Sequence, residues 1–254
     1  MRPIRLASAL AAAGALLVGT AQAITWGTAD NHEHPNVGAL VGQFSSGTYP
    51  YCSGTLISPT VFLTAAHCDL GTARVTVTFD EAWHDGGTLH AGTYIANPAY
   101  SKRQNDPGDL AVVIFDEPVA GIAPARLPTL GQFERIGKDQ KFTAVGYGGQ
   151  ERTIGKGGPV IPYLDAREKS TEEFNSVGPG YIRLSQNAAK GDSGACYGDS
   201  GGPNFLGSPS TGDATDIIAG TTITGDMQCV ATNVIERLDT PASRDFLSLF
   251  VDLP

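Results

Sequence analysis

Positive charge is scarce in this sequence: 17 Lys and Arg stand against 26 Asp and Glu, a formal net charge of −9. That balance excludes an electrostatic grip on nucleic acid or on an anionic membrane, since both need a basic face. Long helices are disfavoured by the 32 glycines and 16 prolines, which break helical runs and multiply turns. The one long apolar run, Leu6 to Val18, is too short for a comfortable bilayer span. No internal repeat is legible, and the Gly-rich stretch Gly146 to Gly158 is the single low-complexity block. His, Asp and Glu form no defensible metal signature. Asp80, Glu81, His84 and Asp85 read as a solvated loop in preference to a calcium site, and His32 and His34 as surface residues. No metal and no cofactor are therefore expected.

What is present begins with Arg2 and Arg5, followed by the apolar run and the small-residue site Ala21-Gln22-Ala23. This is the layout of a secretory signal peptide over residues 1–23, cleaved after Ala23, and it predicts a secreted protein running from Ile24. Four cysteines in an exported chain predict two disulfides, with three connectivities open.

After the leader, short apolar runs alternate with Gly, Pro, Asn, Asp and Ser. Val37 to Val41, Gly54 to Ser58, Val61 to Thr64, Val75 to Phe79, Leu110 to Phe115, Phe142 to Val145, Tyr181 to Leu184, Ile217 to Thr222 and Val234 to Leu238 each read as strands. Many short strands predict an all-β sandwich or barrel. The tail differs. Thr240-Pro241 reads as an N-cap with proline at the first helical position, and Phe246, Leu249, Phe250 and Leu253 share one helical face.

Three segments carry chemistry. Gly198-Asp199-Ser200-Gly201-Gly202-Pro203 lets the backbone turn sharply beside a serine, with the N–H groups of Gly198 and Ser200 free to converge on a developing oxyanion. Alone, it would read as a loop. His67 closes Leu63-Thr64-Ala65-Ala66-His67-Cys68, and alone would read as a packed or surface histidine. Asp109 opens Asp109-Leu110-Ala111-Val112-Val113, and alone would read as a turn residue. Together they supply a nucleophile, a base and a carboxylate to orient that base.

These segments, with Cys52-Ser53-Gly54-Thr55-Leu56-Ile57 and Val145-Gly146-Tyr147-Gly148, resemble the trypsin/chymotrypsin family of serine proteases across essentially all of residues 24–254. The resemblance implies an all-β fold: two packed six-stranded antiparallel barrels, about residues 24–130 and 131–239, and a C-terminal helix at about 241–253. It implies that His67, Asp109 and Ser200 form a catalytic triad, with oxyanion donors at Gly198 and Ser200. It also implies the pairings Cys52–Cys68 and Cys196–Cys229. An ion pair between the freed ammonium of Ile24 and Asp199 is expected from the same source, so that removal of the leader also activates the enzyme. The implied activity is hydrolysis of protein or peptide substrates by a monomer.

Departures from the family pattern bear on specificity. Gly194 stands where an aspartate would attract Lys or Arg, which disfavours cleavage after those residues, unless Asp192 takes the place through a two-residue insertion. Gly225 and Asn233 are expected to line the pocket. Ile223-Thr224 replaces the usual Ser-Trp, which removes a serine expected to support Asp109. The rival readings are a catalytically silent secreted binding protein on the same fold and an esterase with the same triad.

Overall fold

The computed structural model describes residues 24–101 and 107–254. The expected signal peptide, residues 1–23, lies outside them. The strands are β1 (Thr28–Ala29), β2 (Val37–Phe44), β3 (Gly47–Ser58), β4 (Val61–Thr64), β5 (Arg74–Thr78), β6 (His90–Ala96) and β7 (Ala111–Phe115). They continue with β8 (Lys141–Gly146), β9 (Thr153–Gly155), β10 (Gly158–Val160), β11 (Glu168–Val177), β12 (Tyr181–Ser185), β13 (Pro203–Leu206), β14 (Ile218–Gly225) and β15 (Thr232–Arg237). Among the described residues one α-helix, α1 (Pro241–Leu247), follows the last strand.

Six strands close the first barrel in the order β2-β3-β4-β7-β6-β5, all antiparallel. Its interior is filled by Leu40, Leu56, Phe62, Val77, Val113 and Phe115. The second sheet runs β11-β12-β15-β14-β13-β8, and pairing of β8 with β11 closes it into a six-stranded barrel, with β1 added at the edge of β11. Phe142, Ile182, Leu184, Ala219 and Ile235 fill this one. A third apolar cluster joins the two bodies, drawing Val37, Leu63 and Val112 from one barrel and Val145, Phe205 and Ile218 from the other. Phe246 and Leu247 of α1 seal it.

Between the barrels lies a buried ionic group. Arg167 donates from Nε to Asp30 at 2.9 Å and from Nη1 to the carbonyls of Val37 and Phe79. Burial pushes the Asp30 carboxyl up, but bonds from His34 and Arg167 outweigh it and hold the group at about 2. His34 is therefore not the surface residue expected: it bonds Asp30 and stacks on Phe205 with ring centroids 5.1 Å apart. His32 is exposed and pairs with Glu81.

β3 starts seven residues before the expected Gly54, because Pro50 is accommodated opposite Val41 at a bulge where Tyr51 is the extra residue of β3. The helix is shorter than 241–253. After Leu247 the N–H groups of Leu249 and Phe250 bond carbonyls three residues back, which tightens the turn and rotates Leu249 out to 72% exposure.

Candidate active site

His67 sits in a single 3-10 turn, Ala66–Cys68, directly after β4. Three contacts fix that turn. The Cys52–Cys68 disulfide ties it to β3, and the Tyr94 hydroxyl donates to the carbonyls of Ala65 and Ala66 at 2.6 and 3.2 Å. Asp109 immediately precedes Leu110 and β7 and is 6% exposed. Its carboxylate is held twice by one residue: Oδ1 accepts from the His67 backbone N–H at 2.9 Å, and Oδ2 stands 2.7 Å from His67 Nδ1. A carboxylate facing Nδ1 requires the proton there, which leaves Nε2 as the acceptor on the open side of the ring.

No hydroxyl occupies the position of Ile223, which is 7% exposed. Support for Asp109 comes instead from Glu236 in β15, which the sequence reading did not single out. Its two carboxylate oxygens accept from the N–H groups of Gly108 (2.5 Å) and Asp109 (2.9 Å), so the second barrel grips the backbone that carries the carboxylate. Glu236→Ala leaves both buried donors without a partner and is expected to cost about 2–4 kcal/mol, read as a lower urea midpoint. An unchanged midpoint would remove this anchoring role.

Ser200 is brought against the same turn by close backbone approach. Gly201, at φ +81°, lies where a Cβ would stand 2.2 Å from Thr64 Oγ1, so only glycine lets the loop reach the end of β4. The Ser200 carbonyl accepts from Ser53 N–H at 2.9 Å, and Ser53 Oγ donates to the Gly198 carbonyl at 3.0 Å. These bonds staple the serine loop to the first barrel. Ser200 and His67 both line two adjoining clefts, one on either side of them. Among the described residues no acceptor meets the N–H of Gly198 or of Ser200. Gly198 takes φ +96°, a left-handed conformation suited to glycine.

Asp199 points away from the cleft and is 2% exposed. Its oxygens accept from Gly148 N–H and Cys196 N–H, each at 2.8 Å, yet burial pushes the carboxyl up to about 7. Ile24 is fully buried, and Thr25 pairs with Gly194 through two backbone bonds of 3.0 and 2.9 Å, five residues before Asp199.

The cleft bounded by the second disulfide, Cys196–Cys229, has a volume of about 380 Å³ and is lined by Gly225 and Asn233 together with Ala195, Thr222 and Asp226. Gly194 is not among the lining residues: it faces Gln186, whose Oε1 would stand 2.0 Å from an added Cβ. Asp192 is no substitute, because its carboxylate bonds Lys141 and Ser185. Behind the floor sits Glu172 of β11, another residue that the sequence reading did not single out. It accepts from Ala195 N–H at 3.1 Å and from Asn233 Nδ2 at 2.9 Å. Burial, reinforced by the charges of Asp199 and Asp192, pushes its carboxyl up to about 8. Asp226, at the rim, accepts N–H bonds from Gln228, Val230, Ala231 and Thr232.

Asp80 and Glu81 are already bonded to Thr88 N–H and to His32. The one His/Cys/acid cluster with metal-binding spacing among the described residues is Cys52, His67 and Cys68, and its sulfurs are joined in the disulfide.

Two closed antiparallel barrels with a His–Asp pair and a glycine-flanked serine at their junction define the architecture of the chymotrypsin-like hydrolases. The trypsin family model matches residues 24–238, and the chain belongs to that family of serine proteases. Among its relatives, the chain is 28% identical to granzyme M of Homo sapiens over 77% of its length and 79% of the relative's. It is 28% identical to a trypsin of Phaedon cochleariae, covering 65% of this chain and 67% of that one. Alpha-fibrinogenase albofibrase of Trimeresurus albolabris is 30% identical, with 65% and 66% covered. The match to ovochymase of Halocynthia roretzi spans 39% of this chain but 6% of that protein's length.

Proposed function

We propose that the protein is a secreted serine endopeptidase that cleaves peptide bonds through an acyl-enzyme. Ser200 Oγ attacks the scissile carbonyl while His67 Nε2 accepts its proton, and the N–H groups of Gly198 and Ser200 stabilise the oxyanion. Asp109 keeps Nδ1 protonated and stabilises the imidazolium. The leaving amine takes the proton from Nε2, and water, deprotonated by the same nitrogen, releases the acyl group and restores Ser200. The observation that carries this reading is the double hold of Asp109 on His67, at 2.9 and 2.7 Å, on a ring that shares both clefts with Ser200. The silent-binder reading has no feature in its favour, since a binding protein has no use for a buried carboxylate fixed against an imidazole.

Specificity on the acyl side is for neutral residues of small to medium size rather than Lys or Arg. The Asp192 carboxylate is taken up by Lys141 and Ser185, and Glu172, held above the usual carboxylate range, is sealed behind Ala195 and Asn233. Residues 1–23 direct export and are removed after Ala23 in the course of it, and the ammonium thereby freed at Ile24 pairs with Asp199 and orders the oxyanion loop. The protein acts as a monomer on protein or peptide substrates.

A fluorophosphonate reagent tests the reading directly. The expected result is a single covalent adduct on Ser200, identified by peptide mass mapping, with parallel loss of casein hydrolysis. Labelling elsewhere, or undiminished hydrolysis after full labelling, refutes it.

A further inference from the structure

On the side of Ser200 and His67 away from the Cys196–Cys229 cleft lies a second, larger hollow of about 670 Å³. Its walls are strongly apolar. Phe44 and Tyr49 stack at 4.6 Å between centroids, Tyr51 meets Phe44 edge-on at 5.9 Å, and Leu70, Tyr163 and Tyr197 add to the apolar lining beside Asp165. Leu70, Tyr163 and Tyr197 are each about half exposed, at 51%, 48% and 50%. Three large apolar side chains left open to water in one place mark a surface for a partner.

The hollow is built rather than incidental. Gly149 fastens both flanking tyrosines: its N–H donates to the Tyr197 carbonyl at 2.8 Å, and it forms a bridge with Tyr163. The Tyr163 ring lies 3.4 Å from the position a Cβ would take on Gly198, so the aromatic wall begins at the oxyanion glycine itself. Burial holds the Tyr51 phenol up at about 12, and it also pushes up the carboxyl of Asp165, the one acidic residue on this hollow.

Continuity with the site decides the occupant. A substrate chain lying across Ser200 must use both sides of it. If the cleft of Gly225 and Asn233 takes the acyl side, the segment that departs with the amine lies in the other hollow. We propose that this hollow binds an aromatic side chain one or two residues beyond the scissile bond, with Leu70 and Tyr163 as specificity-determining residues. The inference rests on the acyl-enzyme reading above.

Acyl transfer isolates the leaving-group side. The enzyme is acylated with the p-nitrophenyl ester of N-acetylalanine, and the burst of p-nitrophenol reports the acyl-enzyme. Added dipeptide amides then compete with water: the amine nitrogen bonds the acyl carbon, the Ser200 Oγ–C bond breaks, and the amine proton passes through His67 to Ser200. Ala-Phe amide or Phe-Ala amide is expected to capture the acyl group about tenfold better than Ala-Ala amide, the return for burying one ring. Tyr163→Ala and Leu70→Ala should each reduce that ratio to about threefold or less. The ratio is internal to each protein, and Leu70 is exposed enough that its variant folds even if that of Tyr163 does not. Equal capture of all three amides, or a ratio untouched by both substitutions, overturns the inference while leaving the protease reading intact. No burst sinks the protease reading and this inference with it.

Discussion

Alanine at Ser200 is expected to lower kcat on a fluorogenic peptide by about four to six orders of magnitude, and alanine at His67 by a comparable factor. The double variant should be no slower than the worse single one. Non-additivity is the informative part. If Ser200 Oγ and His67 Nε2 act in one proton transfer, removing either abolishes the step, and the second removal has nothing left to take. The residual rate then belongs to the N–H groups of Gly198 and Ser200, which both substitutions leave in place. Losses that multiplied in the double variant would mean that the two residues act separately, and the triad would be the wrong description. Fold is a modest concern: Ser200 holds the loop through its carbonyl bond to Ser53, and His67 holds Asp109 in part through its backbone N–H, neither of which alanine removes.

The candidate catalytic residues are legible in the sequence because each lies in a motif whose glycines, cysteine and apolar neighbours are local. The barrels are legible only where a strand buries an apolar face. Val61–Thr64 was read to the residue, since all four of its side chains are buried. β11 escaped because its inward face is polar: Glu168, Ser170 and Glu172 are buried where alternation would demand Val or Leu. Glu236 escaped for a related reason. Its meaning comes from Gly108 and Asp109, more than 120 residues earlier, and no local pattern marks a carboxylate that caps a distant backbone turn. Gly194 stands at the family's pocket position in the sequence, but backbone pairing with Thr25 turns it toward Gln186 instead.

A protein beginning at Ile24 is expected to exceed one retaining Ala23 by at least about a hundredfold in kcat/KM at pH 7, because a single added residue removes the ammonium from Asp199. The physical case begins with strain on both partners in the uncut chain. Ile24, a β-branched residue, is held at φ +60°, a conformation that costs on the order of 1–3 kcal/mol and ceases to be a constrained torsion once the preceding bond is cut. Asp199 is buried with no basic side chain bonded to it among the described residues, and burial lifts its carboxyl to about 7 despite two N–H bonds. Its folded state therefore holds a proton that the unfolded state releases near pH 4, so its contribution to stability is complete below that pH and is lost as the pH rises through 7. Over that interval the loss is on the order of a few kcal/mol. A freed ammonium reverses the sign: with the pair formed, the Asp199 contribution is present above the ordinary carboxylate range and lost only in acid. The ammonium, its own proton held more tightly than in the unfolded chain, keeps the pair intact until the pH climbs past about 8. Urea midpoints of the two proteins, measured on a Ser200→Ala background to prevent self-digestion, should separate progressively from pH 4 to 7. Glu172 titrates in an overlapping window with the same sign as the uncut Asp199, and the Asp199 charge helps to raise it, so both proteins also carry Glu172→Gln to leave Asp199 alone in the difference. Full activity from a protein shown by mass to retain Ala23, with parallel stability curves, would leave Asp199 as a carboxylate held by Gly148 and Cys196 alone and the cut before Ile24 without a part in activation.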